Sequence, residues 1–145
     1  MIKSKSAFTL VELLVVVLII TILATVVGVN LSREPGKAKM AATSAQFEIF
    51  RVALSIYRFD QGRLPTQEQG LKALCEKPRI PPVPEHYPEQ EGYLESRTVP
   101  LDQWGNQYVY LVPGSKGERY EIISYGADGE PGGEGENADR SSSDR

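Results

Sequence analysis

Two groups of residues in this 145-residue chain have types and spacing that could do chemistry. The first is Glu12, at the head of an otherwise chargeless apolar stretch from Leu13 to Val29. A carboxylate at the edge of a membrane-length helix is costly unless a cation meets it, so Glu12 asks for a partner. A cut after Ala7 would supply one: Phe8 would then carry a free amine at the helix head, for Glu12 of its own or a neighbouring subunit to neutralise. Buried opposite charges are tolerable when they meet, whereas either alone is expensive. Such a pair would set the register of stacked identical helices. The residues equally allow a plainer reading, in which Glu12 marks the interfacial end of an ordinary signal anchor.

The second group is an acidic, glycine-rich segment, residues 125–139, with Asp128, Glu130, Glu134, Glu136 and Asp139 and no base from 128 to 139. Carboxylates so placed repel one another unless a hard cation gathers them, and Ca²⁺ accepts about six to eight oxygens in loose geometry. The spacing is not that of an EF-hand. On the residues alone, a solvated acidic tail is the better reading.

Little else in the chain suggests chemistry. His86 stands without a second metal ligand nearby, and Cys75, the lone cysteine, cannot close an internal disulfide or build a thiolate site. It reads as a small, partly buried apolar residue. There is no nucleophile elbow, and the clustered acids lie on glycine-rich backbone rather than across a cleft, so an enzyme is not indicated. The net charge of −3 arises locally in residues 128–139, and no basic stripe offers a footprint for nucleic acid.

The elements that must position these residues follow from the pattern. Met1 to Ala7 is a short polar leader whose Lys3 and Lys5 should stay in the cytoplasm, leaving the bulk of the chain outside. Residues 8–31 are close to the roughly 20 residues needed to span hydrocarbon. A secretory signal peptide fits poorly, because Asn30-Leu31-Ser32-Arg33-Glu34-Pro35 is not a small-residue cleavage site. From Lys37 to Phe59, Ala41, Ala45, Phe47, Phe50, Val52, Leu54, Ile56 and Tyr57 recur at helical spacing. Pro35-Gly36 predicts a kink or break before this helix, and Gln61-Gly62 ends it.

Thr66 with Gln69 reads as a capping box opening a short helix to about Cys75. Pro78 to Pro88 excludes regular helix and leaves an extended surface loop. Gln107–Val112 and Arg119–Ser124 read as a β-hairpin across Pro113–Gly117. Trp104, beside Gly105 at a turn, reads as an anchor packing that loop on the long helix. The polar end of the chain, residues 140–145, reads as frayed.

Three motifs carry a resemblance. Phe8-Thr9-Leu10-Val11-Glu12, after a Lys-containing leader and before an apolar run, resembles the class III signal of the type IV pilin-like superfamily. Asp60-Gln61-Gly62-Arg63-Leu64-Pro65-Thr66 with Glu68-Gln69-Gly70-Leu71-Lys72-Ala73-Leu74, and Pro100-Leu101-Asp102-Gln103-Trp104-Gly105, resemble the major, G-type pseudopilins of type II secretion. Ser124-Tyr125-Gly126-Ala127-Asp128-Gly129 followed by Asn137 and Asp139 is similar to that family's calcium loop.

The resemblance implies an α+β, type IV pilin-like fold: a long N-terminal helix packed on a small antiparallel sheet with a C-terminal calcium loop. It implies four regions: a leader, 1–7; a transmembrane and polymerisation helix, 8–31; a periplasmic domain, 32–139; and the polar tail, 140–145. A prepilin peptidase would cut between Ala7 and Phe8 and methylate Phe8, and Glu12 would contact the Phe8 amine during assembly. Ca²⁺ would be held by Asp128 and Asp139 carboxylates, the Asn137 amide oxygen, and the main-chain carbonyls of Tyr125 and Glu130. The chain would be a single-pass bacterial inner-membrane protein. It would polymerise into a periplasmic pseudopilus with minor pseudopilins and an inner-membrane secretion platform, exporting folded proteins.

The nearest alternative the resemblance allows is a type IV pilin or minor pilin for adhesion or DNA uptake. The chain departs from the family at several positions. Ala7 replaces the usual glycine before the cut, Val29 a common proline, Gln103 a proline, and Asn137 an aspartate. No aromatic-ended segment follows Asp139.

Overall fold

The computed structural model describes residues 9–31, 34–88 and 92–144. It divides into a unit up to Lys37 and a second from Ala38 onward. In the first, helix α1 runs Leu10–Leu31. Its described side chains, through Leu23, are exposed on every side, from Leu10 and Val11 to Ile22 and Leu23. A helix apolar all round has no packing face of its own and needs an apolar environment. The Thr21 hydroxyl turns back on the helix, donating to the carbonyls of Val17 (2.5 Å) and Leu18 (3.0 Å).

Among the described residues no helix is long and apolar enough to cross a membrane. The backbone of α1 is about 33 Å long at 1.5 Å per residue, but its side chains are described only to Leu23. The membrane-spanning reading therefore stays with the sequence.

Helix α2 runs Glu34–Gln61. Pro35 and Gly36 lie inside its first turn rather than interrupting a helix, because proline's missing donor costs nothing where no intrahelical bond is due. The apolar set read from the sequence divides in two. Phe47, Phe50, Leu54 and Tyr57 are buried and, with Ala53, which that set left out, form one wall of the core, whereas Ala41, Ala45, Val52 and Ile56 are exposed. Gly62, at φ 71°, turns the chain out of the helix as expected.

Thr66 and Gln69 form the predicted reciprocal pair, Thr66 N–H donating to Oε1 at 3.0 Å and Gln69 N–H to Oγ1 at 3.2 Å. The short α-helix expected after them is a turn and a 3₁₀ helix, Leu71–Leu74. Gly70 at φ 60° between the two explains the difference, since a left-handed residue cannot continue an α-helix. The proline-rich segment to Pro88 has no regular structure, as expected. It is not wholly a surface loop: Pro84 is buried, and buried Tyr87 donates to the Ala73 carbonyl at 3.1 Å.

The hairpin forms as β1, Val109–Leu111, and β2, Glu121–Ser124, antiparallel with Tyr110 opposite Ile122. Residues 140–144, expected to be frayed, are ordered against the sheet. Arg140–Ser141 make β3, antiparallel to β2, and Ser142 N–H donates to the Ile122 carbonyl at 2.8 Å. Unpaired β2 backbone is a better partner for these residues than water. Tyr108, Tyr110 and Ile122 of the sheet region pack in one core with the α2 face, and the Tyr108 ring meets Phe47 and Phe50 edge-on at 5.8 and 5.1 Å.

Candidate functional site

The acidic segment leaves the sheet at Ser124, and two left-handed glycines fold it back on itself. A side-chain carbon at Gly126 (φ 68°) would sit 2.6 Å from the Glu136 carbonyl, and one at Gly133 (φ 85°) 2.6 Å from the Asn137 carbonyl. Only glycine permits that approach. Ala127 N–H donates to the Glu136 carbonyl at 2.9 Å, tying the outgoing arm to the returning one.

A neighbouring turn holds this doubled loop to the sheet. Asp102 is buried. Its Oδ1 accepts the backbone N–H of Trp104 at 3.0 Å and of Asn106 at 2.7 Å, and its Oδ2 accepts the Ser124 hydroxyl at 2.6 Å. The Asn106 amide then donates to the Gly126 carbonyl at 2.7 Å. Trp104 does anchor its loop: Lys39 of α2 lies 5.8 Å over its ring, and Nε1 donates to Glu136 at 3.4 Å. Sequence reasoning missed Asp102, Asn106 and Ser124 as parts of this support. The available signal was an Asp ahead of a Gly-containing turn, which bonds its own downstream backbone.

The residues read from the sequence are found as follows. Asp128 accepts the N–H of Glu130 at 3.2 Å, and both Asp139 oxygens accept the N–H of Gly132 at 3.0 Å. Asn137 donates its backbone N–H to the Glu134 carbonyl at 3.1 Å, inside the one-turn 3₁₀ helix Gly135–Asn137. Tyr125 is half-buried beside Gly126. All these donors are oxygens, the type Ca²⁺ takes. Among the described residues, however, no three His, Cys, Asp or Glu side chains gather into a metal-ready group. The main chain of the two arms is brought together, while the Asp128 and Asp139 carboxylates bond the loop's own backbone and that of Glu136 accepts the Trp104 indole N–H.

Ala7 and Phe8 lie outside the described residues. Glu12 stands exposed in the first turn of α1, where a carboxylate complements the helix dipole, and its backbone N–H donates to the Thr9 hydroxyl at 3.2 Å. His86 is exposed on the proline segment, and Cys75 is half-buried, with burial pushing its thiol upward in pKa.

A second carboxylate outside the loop is notable. Glu121 of β2 is buried and accepts the Ser115 N–H at 2.9 Å, the Ser115 hydroxyl at 2.5 Å and the Ser141 hydroxyl at 2.6 Å. The Ser115 and then the Ser141 hydroxyl hold its carboxyl below the usual range. It fastens the hairpin loop and β3 to the same strand.

Set beside known proteins, the chain matches the family described as type II secretion system (T2SS), protein G, over residues 30–143, and the prokaryotic N-terminal methylation motif over residues 2–28. It is 39% identical over 137 residues to the type II secretion system core protein G of Pseudomonas aeruginosa, with 94% of each chain covered. To the protein of that name from Vibrio cholerae it is 42% identical over 137 residues, covering 94% of this chain and 90% of the relative. Among solved structures it is similar to the major pseudopilin from the type 2 secretion system of enterohaemorrhagic Escherichia coli. The TM-score is 0.61 at 38% identity, over 72% of this chain and 86% of that one.

Proposed function

The chain belongs to the type II secretion system protein G family, and from that premise we infer that it is a major pseudopilin, a structural subunit that assembles into a pseudopilus for protein export. It is not an enzyme. The observation that carries this is one chain matching the protein G family across its body and the methylation motif at its head. The alternative of an adhesive or DNA-uptake pilin is not favoured, since the curated relatives are protein G of secretion systems.

The finer reading concerns the N-terminus. A prepilin peptidase cuts between Ala7 and Phe8 and methylates Phe8, and α1 then anchors the chain in the bacterial inner membrane with the second unit in the periplasm. Lys3 and Lys5 support that orientation. Glu12, with no ion-pair partner among the described residues, meets the Phe8 amine of an adjacent copy. Minor pseudopilins and an inner-membrane platform complete the assembly. Mass spectrometry of the chain from its native membrane tests this. A product beginning at methylated Phe8 supports the reading; an intact Met1, or a cut beyond the apolar run, removes it.

The loop reading is calcium. Bound there, Ca²⁺ would supply positive charge that offsets the repulsion among the loop carboxylates. Asp128, Asn137 and Asp139 would give side-chain oxygens, and Tyr125 and Glu130 main-chain carbonyls. The doubled loop supports this by bringing the arm from Tyr125 alongside the arm to Asp139. Asp139 would exchange its bond to Gly132 for the ion.

A further inference from the structure

Asp128 is followed by Gly129, the one place in the sequence where an aspartate or asparagine precedes a glycine. That pair is chemically labile. The backbone nitrogen after an aspartate can attack the side-chain carboxyl carbon and close a five-membered imide. Both groups belong to one chain, so the rate is set by how the backbone holds them rather than by an encounter. A side chain on the following residue shields that nitrogen, and glycine has none.

The loop brings the reacting groups together. Asp128 is exposed, and its Oδ1 accepts the N–H of Glu130 at 3.2 Å. The ring closed by that bond passes through both the carboxyl carbon and the Gly129 nitrogen, so the side chain is folded over the peptide bond it would attack. The Gly129 N–H donates to nothing among the described residues, and no hydrogen bond has to break before its proton leaves. Five glycines at positive φ between 126 and 135 leave the surrounding backbone room to turn. The glycine is also hard to replace, since at φ 69° a side-chain carbon would stand 3.3 Å from the Asn106 amide.

The other aspartates lack this combination. Asp60 lies in the last turn of α2 ahead of Gln61, and Asp102 is buried with both oxygens bonded. Asp139 precedes Arg140 of β3, and both its oxygens accept the Gly132 N–H.

We propose that Asp128-Gly129 is a site of spontaneous isoaspartate formation, which the ion-free loop undergoes and calcium suppresses. The Gly129 nitrogen bonds to the carboxyl carbon of protonated Asp128, whose OH leaves with the amide proton as water. Water then adds back at one of the two imide carbonyls. Opening at the side-chain carbonyl restores aspartate, whereas opening at the main-chain carbonyl leaves the chain running through the former side chain. Nothing is oxidised or reduced, and the mass returns to its starting value. The product has one more methylene in its main chain, and its carboxylate sits directly on the α carbon. That change displaces the oxygen assigned to the ion and lengthens the arm that carries it.

The suppression rests on the calcium reading of the loop. An Asp128 oxygen on Ca²⁺ is not free to leave as water, and an ion held by both arms keeps the backbone from turning. A copy without its ion ages at this bond, and a copy holding it is protected.

The test incubates the full-length chain in detergent at neutral pH, with Ca²⁺ or with EDTA, and maps isoaspartate by digestion and fragmentation mass spectrometry. In EDTA the isoaspartate fraction at residue 128 is expected to exceed that at Asp60 or Asp139 at least tenfold. Ca²⁺ should lower it at least tenfold. A transient species lighter by one water should appear in the peptide that holds residue 128, and Asp128→Glu, which would need a larger ring, should remove both signals. No excess at residue 128 in EDTA overturns the proposal. Thermal melts of the same samples separate the two readings. Equal rates in Ca²⁺ and EDTA from a chain whose melt responds to Ca²⁺ overturn the suppression. If the melt does not respond, the calcium reading fails by itself, and an excess at residue 128 still upholds the isomerisation.

Discussion

The Ser124 hydroxyl at the end of β2 donates to the buried Asp102 carboxylate at 2.6 Å, joining the last sheet residue before the acidic loop to the turn that carries Trp104. The other Asp102 oxygen closes that turn through the N–H groups of Trp104 and Asn106. One side chain therefore holds three backbone or side-chain donors that would otherwise be buried unpaired. Removing a buried hydrogen-bonded carboxylate leaves those donors orphaned, at about 1–3 kcal/mol each in the worst case. Asp102→Ala should destabilise the fragment from Ser32 onward by about 3 kcal/mol, and Asp102→Asn, which keeps one acceptor, by less. Urea unfolding of the three proteins, followed by Trp104 fluorescence, measures both.

Glu121 gives a pH dependence of definite sign. Its folded pKa lies below the ordinary 4.5 because the Ser115 and Ser141 hydroxyls bond the charged form. A depressed carboxylate contributes stability that is present above the unfolded value and lost as pH falls through the folded one. Wild type should therefore lose stability below pH 4.5 faster than Glu121→Gln does. At pH 7 the variant should be the less stable by about 1–2 kcal/mol, since an uncharged amide is a poorer acceptor. Thermal melts at pH 3, 4, 5 and 7 check it: a constant difference across that range contradicts the role.

The sequence carried the parts of this fold that depend on short-range pattern. The Thr66–Gln69 pair, the hairpin strands around Tyr110 and Ile122 and the exit at Gly62 are each set by residues within a few positions of one another, and each forms. What it did not show depends on distant partners. Arg140–Ser141 read as a solvated tail because nothing local says that β2 has a free edge to pair with. Val52 and Ile56 were not separable from the buried Phe50 and Leu54, because helical spacing alone cannot say which of two apolar stripes meets the sheet. The acidic loop was legible in composition, but its support was not. Asp102, Asn106 and Ser124 are spread over 22 residues and meet only in the fold.

Tyr108 tests the opposite case, a polar atom the fold has not provided for. Its ring packs against Phe47 and Phe50, while its hydroxyl is buried with no hydrogen-bond partner among the described residues. Burial, with the nearby Asp102 charge, pushes its pKa up to about 12. Tyr108→Phe keeps the ring contacts and deletes the orphan, so it should be neutral or stabilising by up to about 1 kcal/mol. Loss of more than that in a urea titration would reveal an internal water or partner at the hydroxyl.

Calcium in the acidic loop predicts a stability linkage. A ligand that binds only the folded state raises stability by about 2.7 kcal/mol at a hundred times its Kd. EDTA should lower the melting temperature of the domain from Ser32 onward, and added Ca²⁺ should restore it, whereas Mg²⁺, which demands tighter octahedral geometry, should not. Asp128→Asn should abolish the calcium response while changing the EDTA-treated melt little, because its one bond in the loop, to Glu130 N–H, can be kept by an amide oxygen. Identical melts with and without Ca²⁺ would remove the ion from the reading.

Glu12 separates insertion from assembly. It is exposed in the first turn of α1, where its carboxylate meets only the helix dipole and its backbone N–H is already capped by Thr9. Nothing within the described chain needs its charge, so an ordinary anchor would lose nothing, and insert slightly better, on replacement by alanine. If instead the carboxylate neutralises the Phe8 amine of a neighbour, Glu12→Ala leaves a charged amine unpaired in the membrane, a penalty of several kcal/mol that falls only on the assembled state. Membrane fractionation should then find Glu12→Ala inserted and cut at Ala7 as in wild type, while electron microscopy finds filaments reduced at least tenfold. Glu12→Asp, which keeps the charge on a shorter arm, should recover part of the loss. Filaments at the wild-type level from Glu12→Ala would return Glu12 to the plainer role of an interfacial marker.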